Sequence, residues 1–187
     1  MTAATQKLNW TVEDLEGLPE NGNRYEIIDG DLHTTRIPHW NHQVVAGHAY
    51  AELLSWSIAT GWGEPAMTPG VIFSPIDAVI PDVVWASMAK LDALLDDTGH
   101  LTGAPELVIE VLSQAQKDKD RDRKIKLKLY ANGGVLEYWI FDRELRLIEV
   151  YRREEGRLVK AMTLYSEDTL TSPILPGFAC VIGSLFE

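Results

Sequence analysis

The sequence has little cysteine and no long apolar run. Cys180 is the only cysteine among 187 residues, so no disulfide can form within the chain, which suits a reducing compartment. No stretch approaches the 18 or so consecutive apolar residues of a membrane span. Residues 1–10 lack a basic start followed by an apolar core, so we expect no signal peptide. Together these absences predict a cytoplasmic protein without membrane association.

Basic residues are also scarce. Lysine and arginine number 17 against 28 acidic residues, and the net charge of −11 argues against a broad basic surface that grips nucleic acid. The basic residues concentrate at 117–128, where seven of them face three aspartates, a local balance of +4. This strip is compatible with phosphate contacts, and equally with a solvated helix face that carries ion pairs.

The chain has no repeat, low-complexity tract or linker, so we predict a single domain over residues 1–187. Apolar periodicity and capping signals predict helices at 11–17, 41–60, 88–95 and 118–132. Alternation and turn signals predict a hairpin at 24–36 around Asp29-Gly30, and strands at 71–73, 78–85, 106–112, 136–141, 145–151, 158–164 and 178–182. The strand–helix–strand unit at 106–141 predicts a parallel crossover, and with the hairpins it predicts a mixed sheet.

Two carboxylates lie in apolar strand sequences. Glu110 is the one charged residue in the run 107–112, and burial of an unpaired carboxylate costs several kcal/mol. Asp82 begins another apolar strand. Alternation places Glu110 on the face of Val108, and Asp82 on the face of Val84. If the strands are neighbours, the two charges repel unless a cation lies between them, and such oxygen ligands suit Mg²⁺ or Mn²⁺. Each acid alone is equally compatible with a structural cap.

One lysine of the helix at 118–132 is expected to point toward the sheet. On a helical wheel Ile125 and Leu129 define the buried face, and Lys126 falls within the same arc, about 100° from Ile125. Lys124 and Lys128 fall on the opposite side, toward solvent. An inward lysine either forms a structural ion pair or stabilises charge that develops in a transition state.

Two further residues gain interest only from the context of the whole chain. His42 lies at the start of the long helix, where a lone histidine is usually a surface residue. Glu26 lies in the first strand of the hairpin and is compatible with a solvent-facing position.

The order of several motifs resembles the Uma family within the PD-(D/E)XK nuclease superfamily, a bacterial group. The matching segments are YEIIDGDL at 25–32, His42, PDVV at 81–84, PELVIEVLS at 105–113, then Asp122-Arg123, Lys126, Tyr130, Gly134-Val135 and EYW at 137–139 with Asp142. The resemblance implies an α/β (α+β) restriction-endonuclease-like fold, with a mixed central β-sheet flanked by helices. Ser113-Gln114-Ala115 departs from the family's usual Ser-Pro-Ser.

The resemblance also implies roles for the site residues. Asp82 and Glu110 would be metal ligands, with His42 as a further ligand, and Glu26 would lie near the metal and support a second ion or the water network. The superfamily's usual lysine position is Leu112 here, and Lys126 matches members whose lysine has moved to the next helix. The catalytic site would consist of Asp82, Glu110, Lys126, His42 and Glu26.

The resulting prediction is a metal-dependent endonuclease that hydrolyses DNA phosphodiester bonds with Mg²⁺ or Mn²⁺. A homodimer follows by analogy with nucleases that cut both strands. One alternative is a nuclease-fold module with weak or no activity that binds DNA or protein. Another is a metal hydrolase for a small phosphorylated substrate.

Overall fold

The computed structural model describes residues 9–187. The prediction that the chain has no signal peptide was made on residues 1–10, most of which lie outside the described residues. The helices are α1 (Val12–Leu15), α2 (Trp40–Thr60), α3 (Met88–Leu94), α4 (Gln116–Asp120) and α5 (Leu127–Gly133), with a π-helical stretch at Arg121–Lys126 and a 3₁₀ helix at Ile182–Phe186. The strands are β1 (Arg24–Ile28), β2 (Asp31–Thr35), β3 (Gly63–Met67), β4 (Val71–Ser74), β5 (Asp77–Val79), β6 (Val83–Ser87), β7 (Leu107–Val111), β8 (Glu137–Asp142), β9 (Leu147–Glu154), β10 (Arg157–Leu164), β11 (Thr169–Ser172) and β12 (Leu175–Val181). None of the helices within 9–187 combines the length and apolar character needed to cross a membrane.

The central sheet has six strands in the order β10-β9-β8-β7-β6-β3. β7 and β8 are parallel, and the other neighbours in this sheet are antiparallel. The parallel pair is joined by α4, the π-helical stretch and α5, as expected for a crossover connection. The predicted parallel crossover and mixed sheet are therefore confirmed.

Helices cover both faces of this sheet, because alternate residues of its strands are apolar on each side. On one face Leu53 of α2 packs in a cluster with Ile109 of β7. On the other face Tyr130 of α5 packs in a cluster with Val108 and Ile140. The predicted class, a mixed sheet flanked by helices, is confirmed.

A smaller sheet, in the order β2-β1-β5-β4, carries Glu26. The hairpin β1–β2 turns at Asp29 and Gly30, whose φ angles are 53° and 72°. A two-residue turn with positive φ at both positions matches the right-handed twist of the flanking strands, which is why Asp-Gly occurs there. The predicted hairpin is confirmed.

The expected strand at 78–85 is wrong, because this segment divides between the two sheets. β5 ends at Val79 in the small sheet, and β6 begins at Val83 in the central sheet. Pro81 lies in the gap, and its lack of an N–H group prevents a continuous ladder. As a consequence Asp82 stands just before β6, at the junction of the two sheets.

The expected continuous helix at 118–132 is also only partly right. A π-helical stretch separates α4 from α5, and Ile125 is 43% exposed, so its expected inward position is wrong. Lys126 is buried and Lys124 and Lys128 are exposed, as the wheel predicted.

The edge strand β3 was not predicted, because Gly63 and Pro65 break the strand pattern. Proline is tolerated there, since β3 lies at the edge of the sheet.

Candidate active site

Asp82 and Glu110 meet through the pairing of β6 with β7. The antiparallel register joins Val83 to Ile109 and Val84 to Val108, and one further step places Asp82 opposite Glu110. The backbone N–H of Val111 donates to Asp82 Oδ2 at 2.9 Å. Both carboxylates are at most 5% exposed. The structure thus brings together the two acids singled out in the sequence.

Lys126 links the two sheets. Its Nζ lies 2.8 Å from Glu110 Oε1 and 2.8 Å from Glu26 Oε1, and all three side chains are buried. The N–H of Ile80, in the segment between the sheets, donates to the same Glu26 oxygen at 2.9 Å. Burial by itself lowers the pKa of Lys126, but the charges of Glu110 and Glu26 outweigh it and hold that pKa above its ordinary value. The lysine is therefore a fixed positive charge.

The two acids beside Lys126 respond differently to burial. Burial raises the pKa of Glu110 to about 8, because the opposing attraction of Lys126 is weakened by repulsion from Asp82 and Asp122. Burial also acts upward on the pKa of Glu26, but Lys126 and the Ile80 N–H more than offset it and leave that pKa below its ordinary value. Glu26 is thus the more readily ionised of the two acids, and Glu110 keeps its proton to higher pH.

Tyr130 of α5 is a further partner of Glu110. Its hydroxyl donates to Glu110 Oε1 at 2.7 Å, so this oxygen contacts both the tyrosine and Lys126. Tyr130 was matched in the resemblance, but the wheel gave it no chemical role. Its position one helical turn after Lys126 was the signal, since residues four apart share a helix face.

Asp82 is compensated by neighbours from other elements. His42 Nε2 lies 3.1 Å from Asp82 Oδ2, and an Nη of Arg24 lies 3.3 Å from Oδ1. Burial acts upward on the pKa of Asp82, but the His42 contact and the Val111 N–H more than offset it, so the net direction is downward. Burial likewise lowers the pKa of His42, but Asp82 reverses this and raises it. The sequence did contain a signal for Arg24, since it shares a strand face with Glu26.

These side chains surround a small cavity of about 50 Å³. At about 10–15 Å³ per enclosed water, it has room for a few waters or an ion with part of its hydration shell. The lining residues are Arg24, Glu26, Thr35, Arg36, Pro38, His42, Ile80, Asp82, Glu110, Val111, Ser113, Arg121, Asp122 and Lys126. All five residues selected from the sequence therefore line one cavity.

The donor set fits a divalent cation that keeps several of its own waters. Among residues 9–187, no three carboxylate, imidazole or thiolate groups already converge as a metal cluster. Mg²⁺, however, is usually bound through one or two carboxylates together with waters and substrate phosphate oxygens. Asp82 and Glu110 supply that number. Nδ1 of His42 is buried without a hydrogen-bond partner in the described part of the chain, so the imidazole has unused bonding capacity.

The basic strip at 117–128 is mostly neutralised. Its ion pairs join Lys119 to Glu144, Arg121 to Asp118 and Asp122, Arg123 to Asp142 and Glu149, Lys124 to Asp120, and Lys126 to Glu26 and Glu110. Within residues 9–187, Lys117 and Lys128 form no ion pair. For most of the strip, the interpretation as a face carrying ion pairs is correct.

The same fold is known from a solved structure. The crystal structure of a "putative nuclease belonging to DUF820" from Anabaena variabilis superposes with a TM-score of 0.74 at 18% identity, over 94% of this chain and 97% of that one. The family model described as "Uma2: Putative restriction endonuclease" matches residues 12–183. The chain therefore belongs to the Uma2 family, as the motif resemblance indicated. No match was found among curated proteins.

Proposed function

We propose that the chain is a metal-dependent endonuclease that hydrolyses DNA phosphodiester bonds. The observation that carries the proposal is the buried Lys126 ammonium, 2.8 Å from Glu110, in a cavity where Asp82 stands opposite Glu110. Two acids that can hold a metal ion and one fixed cation suit hydrolysis at a phosphate, because cations stabilise the negative charge that develops on the phosphate oxygens in the transition state. Membership of the Uma2 family supports the same chemistry.

In this proposal Asp82 and Glu110 hold the ion, Mg²⁺ or Mn²⁺, with His42 beside them. When bound, such an ion activates a water and neutralises phosphate charge. An ammonium group has three N–H donors, and Lys126 uses two of them on Glu26 and Glu110. The third donor is free to orient the attacking water or to contact a phosphate oxygen. Glu26, anchored by the Ile80 N–H, positions the lysine.

The size of the cavity favours a polymer over a small phosphorylated substrate. Pockets that enclose small-molecule ligands have volumes of roughly 300–1,000 Å³. The cavity measures about 50 Å³, which suits a single phosphate presented from outside. A phosphodiester in a DNA backbone meets that requirement, because the rest of the strand lies outside the catalytic cavity.

The proposal is tested by cleavage of plasmid and short duplex DNA with Mg²⁺ and with Mn²⁺. We expect Asp82→Asn, Glu110→Gln and Lys126→Met each to lower the cleavage rate by about 10² or more, in line with loss of one electrostatic contact in a transition state. Glu137→Gln is a matched control. Glu137 is equally buried and pairs with Arg152 at 3.0 Å, but it lies outside the cavity lining.

The control is expected to lose stability and retain cleavage. Site variants that cut as fast as the parent would assign the activity to a contaminant or another site. Folding of each variant is checked by circular dichroism and thermal unfolding, so that loss of cleavage is not mistaken for loss of structure.

A second candidate function is a nuclease-fold module that binds DNA or protein without cutting. It is favoured by the contact of Lys126 with Glu110, because a protein cation already occupies the neighbourhood where a metal ion would bind. In addition, the raised pKa of Glu110, about 8, leaves this acid mostly neutral at pH 7. Calorimetry with Mn²⁺ separates the two. Heat of binding that disappears in Asp82→Asn supports the nuclease, and no binding at millimolar ion supports the module.

The proposal includes a cytoplasmic homodimer. Ile58, Trp62 and Met88 are 76%, 53% and 42% exposed, and Trp62 directly precedes the edge strand β3. Apolar side chains beside an unpaired strand edge are typical of an association surface. Sedimentation equilibrium tests this part: we expect a dimer that Trp62→Lys converts to a monomer. A parent protein that sediments as a monomer at micromolar concentration would contradict it.

A further inference from the structure

A second, larger cleft of about 390 Å³ adjoins the catalytic cavity. It shares Thr35, Arg36, Pro38, His42 and Ser113 with the cavity, so the two lie side by side. Its walls come from the end of β2 and the following loop, from the segment after β7, and from Arg143 after β8. A chain molecule with one unit at the catalytic site can therefore continue into this cleft.

The cleft has unneutralised positive charge. Arg36, Lys117 and Arg143 line it and form no ion pair within residues 9–187, unlike most of the basic strip. Nε of Arg143 is buried and has no hydrogen-bond partner among these residues. The acidic residue in the lining, Asp118, is paired with Arg121 at 3.5 Å. A guanidinium with a buried, unused donor favours an anionic ligand in the cleft.

Two large apolar side chains are exposed where the loop that lines the cleft enters α2. Ile37 is 74% exposed on the loop that lines the cleft, and Trp40, the first residue of α2, is 79% exposed. A tryptophan this exposed contributes little to packing of the core, and it follows directly on the loop that lines the cleft. Cations that track a backbone, together with an aromatic ring on which bases stack, are the two components of nucleic-acid strand binding.

We propose that this cleft binds the DNA strand next to the scissile phosphate, with Arg36, Lys117 and Arg143 contacting backbone phosphates and Trp40 stacking on a base. The inference rests on the proposed function and specifies its substrate contacts. It also gives a chain with a net charge of −11 a local way to bind a polyanion, because three cations without an ion pair within residues 9–187 line the cleft where the strand would pass.

Binding is measured by fluorescence anisotropy with labelled single-stranded and duplex DNA, in EDTA and again with Ca²⁺, across a salt series. The double variant Lys117→Gln/Arg143→Gln removes two proposed phosphate contacts. We expect the slope of log K against log salt to fall by about 1.4 on single strands and about 1.8 on duplex. The control Lys128→Gln/Arg157→Gln removes the same charge outside the cleft and should leave the slope unchanged.

Trp40 is tested separately. Loss of one base–aromatic stack weakens binding by about 1–3 kcal/mol, or roughly 5- to 150-fold, so we expect Trp40→Ala to lose on the order of 10-fold. Trp40→Phe should keep most of the affinity. Trp10→Ala is the control, because Trp10 is 40% exposed and lies outside the cleft lining. Its backbone N–H donates to the carbonyl of Gly30, at the opposite end of the β1–β2 hairpin.

Several results would overturn the proposal. They are a parent protein that binds neither DNA probe, cleft variants with the parental salt slope, or controls that lose as much as the cleft variants. Poly-glutamate binding that depends on Lys117 and Arg143 but not on Trp40 would identify an acidic protein partner instead. Cleavage is scored independently: DNA binding without cleavage under any metal contradicts the nuclease proposal alone, and cleavage unaffected by the cleft variants contradicts the cleft alone.

Discussion

Nζ of Lys126 and Oε1 of Glu110 lie 2.8 Å apart in a site that is almost closed to solvent, although the residues are 16 positions apart in the chain. The same carboxylate oxygen accepts the Tyr130 hydroxyl at 2.7 Å. Both donors come from the crossover between β7 and β8, so this connection brings a cation to the acid that the central strand buries.

Removal of the lysine should destabilise the fold, and more so at high pH. Lys126→Met leaves Glu26 and Glu110 buried without their cation, and breaking a buried pair in this way costs about 3–5 kcal/mol. At acidic pH both carboxyls accept protons, so the loss should become smaller. Urea unfolding of parent and variant at pH 5 and pH 8 measures this difference. An equal loss at both pH values would show that the lysine stabilises by packing alone.

Metal binding at pH 7 should release a proton. The pKa of Glu110 is raised to about 8, so the acid is mostly protonated before an ion binds and must ionise to act as a ligand. We expect apparent affinity for Mn²⁺ to increase from pH 6 to pH 8. Calorimetry in buffers of different ionisation enthalpy counts the released proton, which should be absent in Glu110→Gln. Affinity that does not vary with pH would mean that Glu110 is already ionised.

Without divalent ions, stability should decrease as pH rises toward 8. The folded-state pKa of Glu110 lies above the ordinary 4.5, so the folded protein holds a proton that the unfolded chain has released. This contribution is complete below about pH 4.5 and is lost through about pH 8, with a slope of at most about 1.4 kcal/mol per pH unit. His42 and Asp122, whose pKa values are also raised, add to the same slope.

Glu110→Gln should therefore make the slope shallower without abolishing it. Guanidinium unfolding in EDTA between pH 5.5 and 8.5 measures the difference. The pKa values of Asp82 and Glu26 are lowered in the folded protein, so these groups stabilise the fold at pH values above their unfolded-state pKa and lose this contribution in acid. The range from pH 5.5 to 8.5 avoids that loss. A parental slope in the variant would exclude Glu110 as its source.

The two buried tyrosines next to the site should be distinguishable. Tyr130→Phe removes a hydroxyl donor from Glu110 and should cost about 1–3 kcal/mol of unfolding free energy, together with an alkaline shift in any metal-dependent cleavage profile. Tyr138→Phe, whose hydroxyl donates to the Asp122 carbonyl at 3.2 Å, should cost a similar amount without that shift. The pH profiles of the two variants provide the comparison. Identical profiles would show that Tyr130 does not tune Glu110.

The sequence predicted which charged residues would lie together better than it predicted the strands around them. Glu110 stood out because a charge in an apolar run needs compensation, and Lys126 because helical periodicity alone oriented it inward. Both signals are local, and the structure brings these residues together with Asp82 in one cavity. Their catalytic roles remain a prediction.

What could not be predicted depends on long-range packing. The division of 78–85 between two sheets depends on the pairing of β5 with β1 and of β6 with β7. Alternation within the segment carries no information about these distant partners. The π-helical stretch changed the phase that the wheel assumed, which is why Ile125 faces solvent. Arg24 shares a strand face with Glu26, but the sequence does not reveal its contact with Asp82, 58 positions away.

The contact of Lys126 with Glu26 spans 100 positions and joins the small sheet to the crossover helix, while Asp82 belongs to the junction between the sheets. A chain emerging from the ribosome cannot assemble this cavity until both sheets and the crossover have been made and docked. Partly folded intermediates therefore lack the complete set of charges. For a protein proposed to cut DNA, cleavage of cellular DNA could therefore begin only after folding is complete.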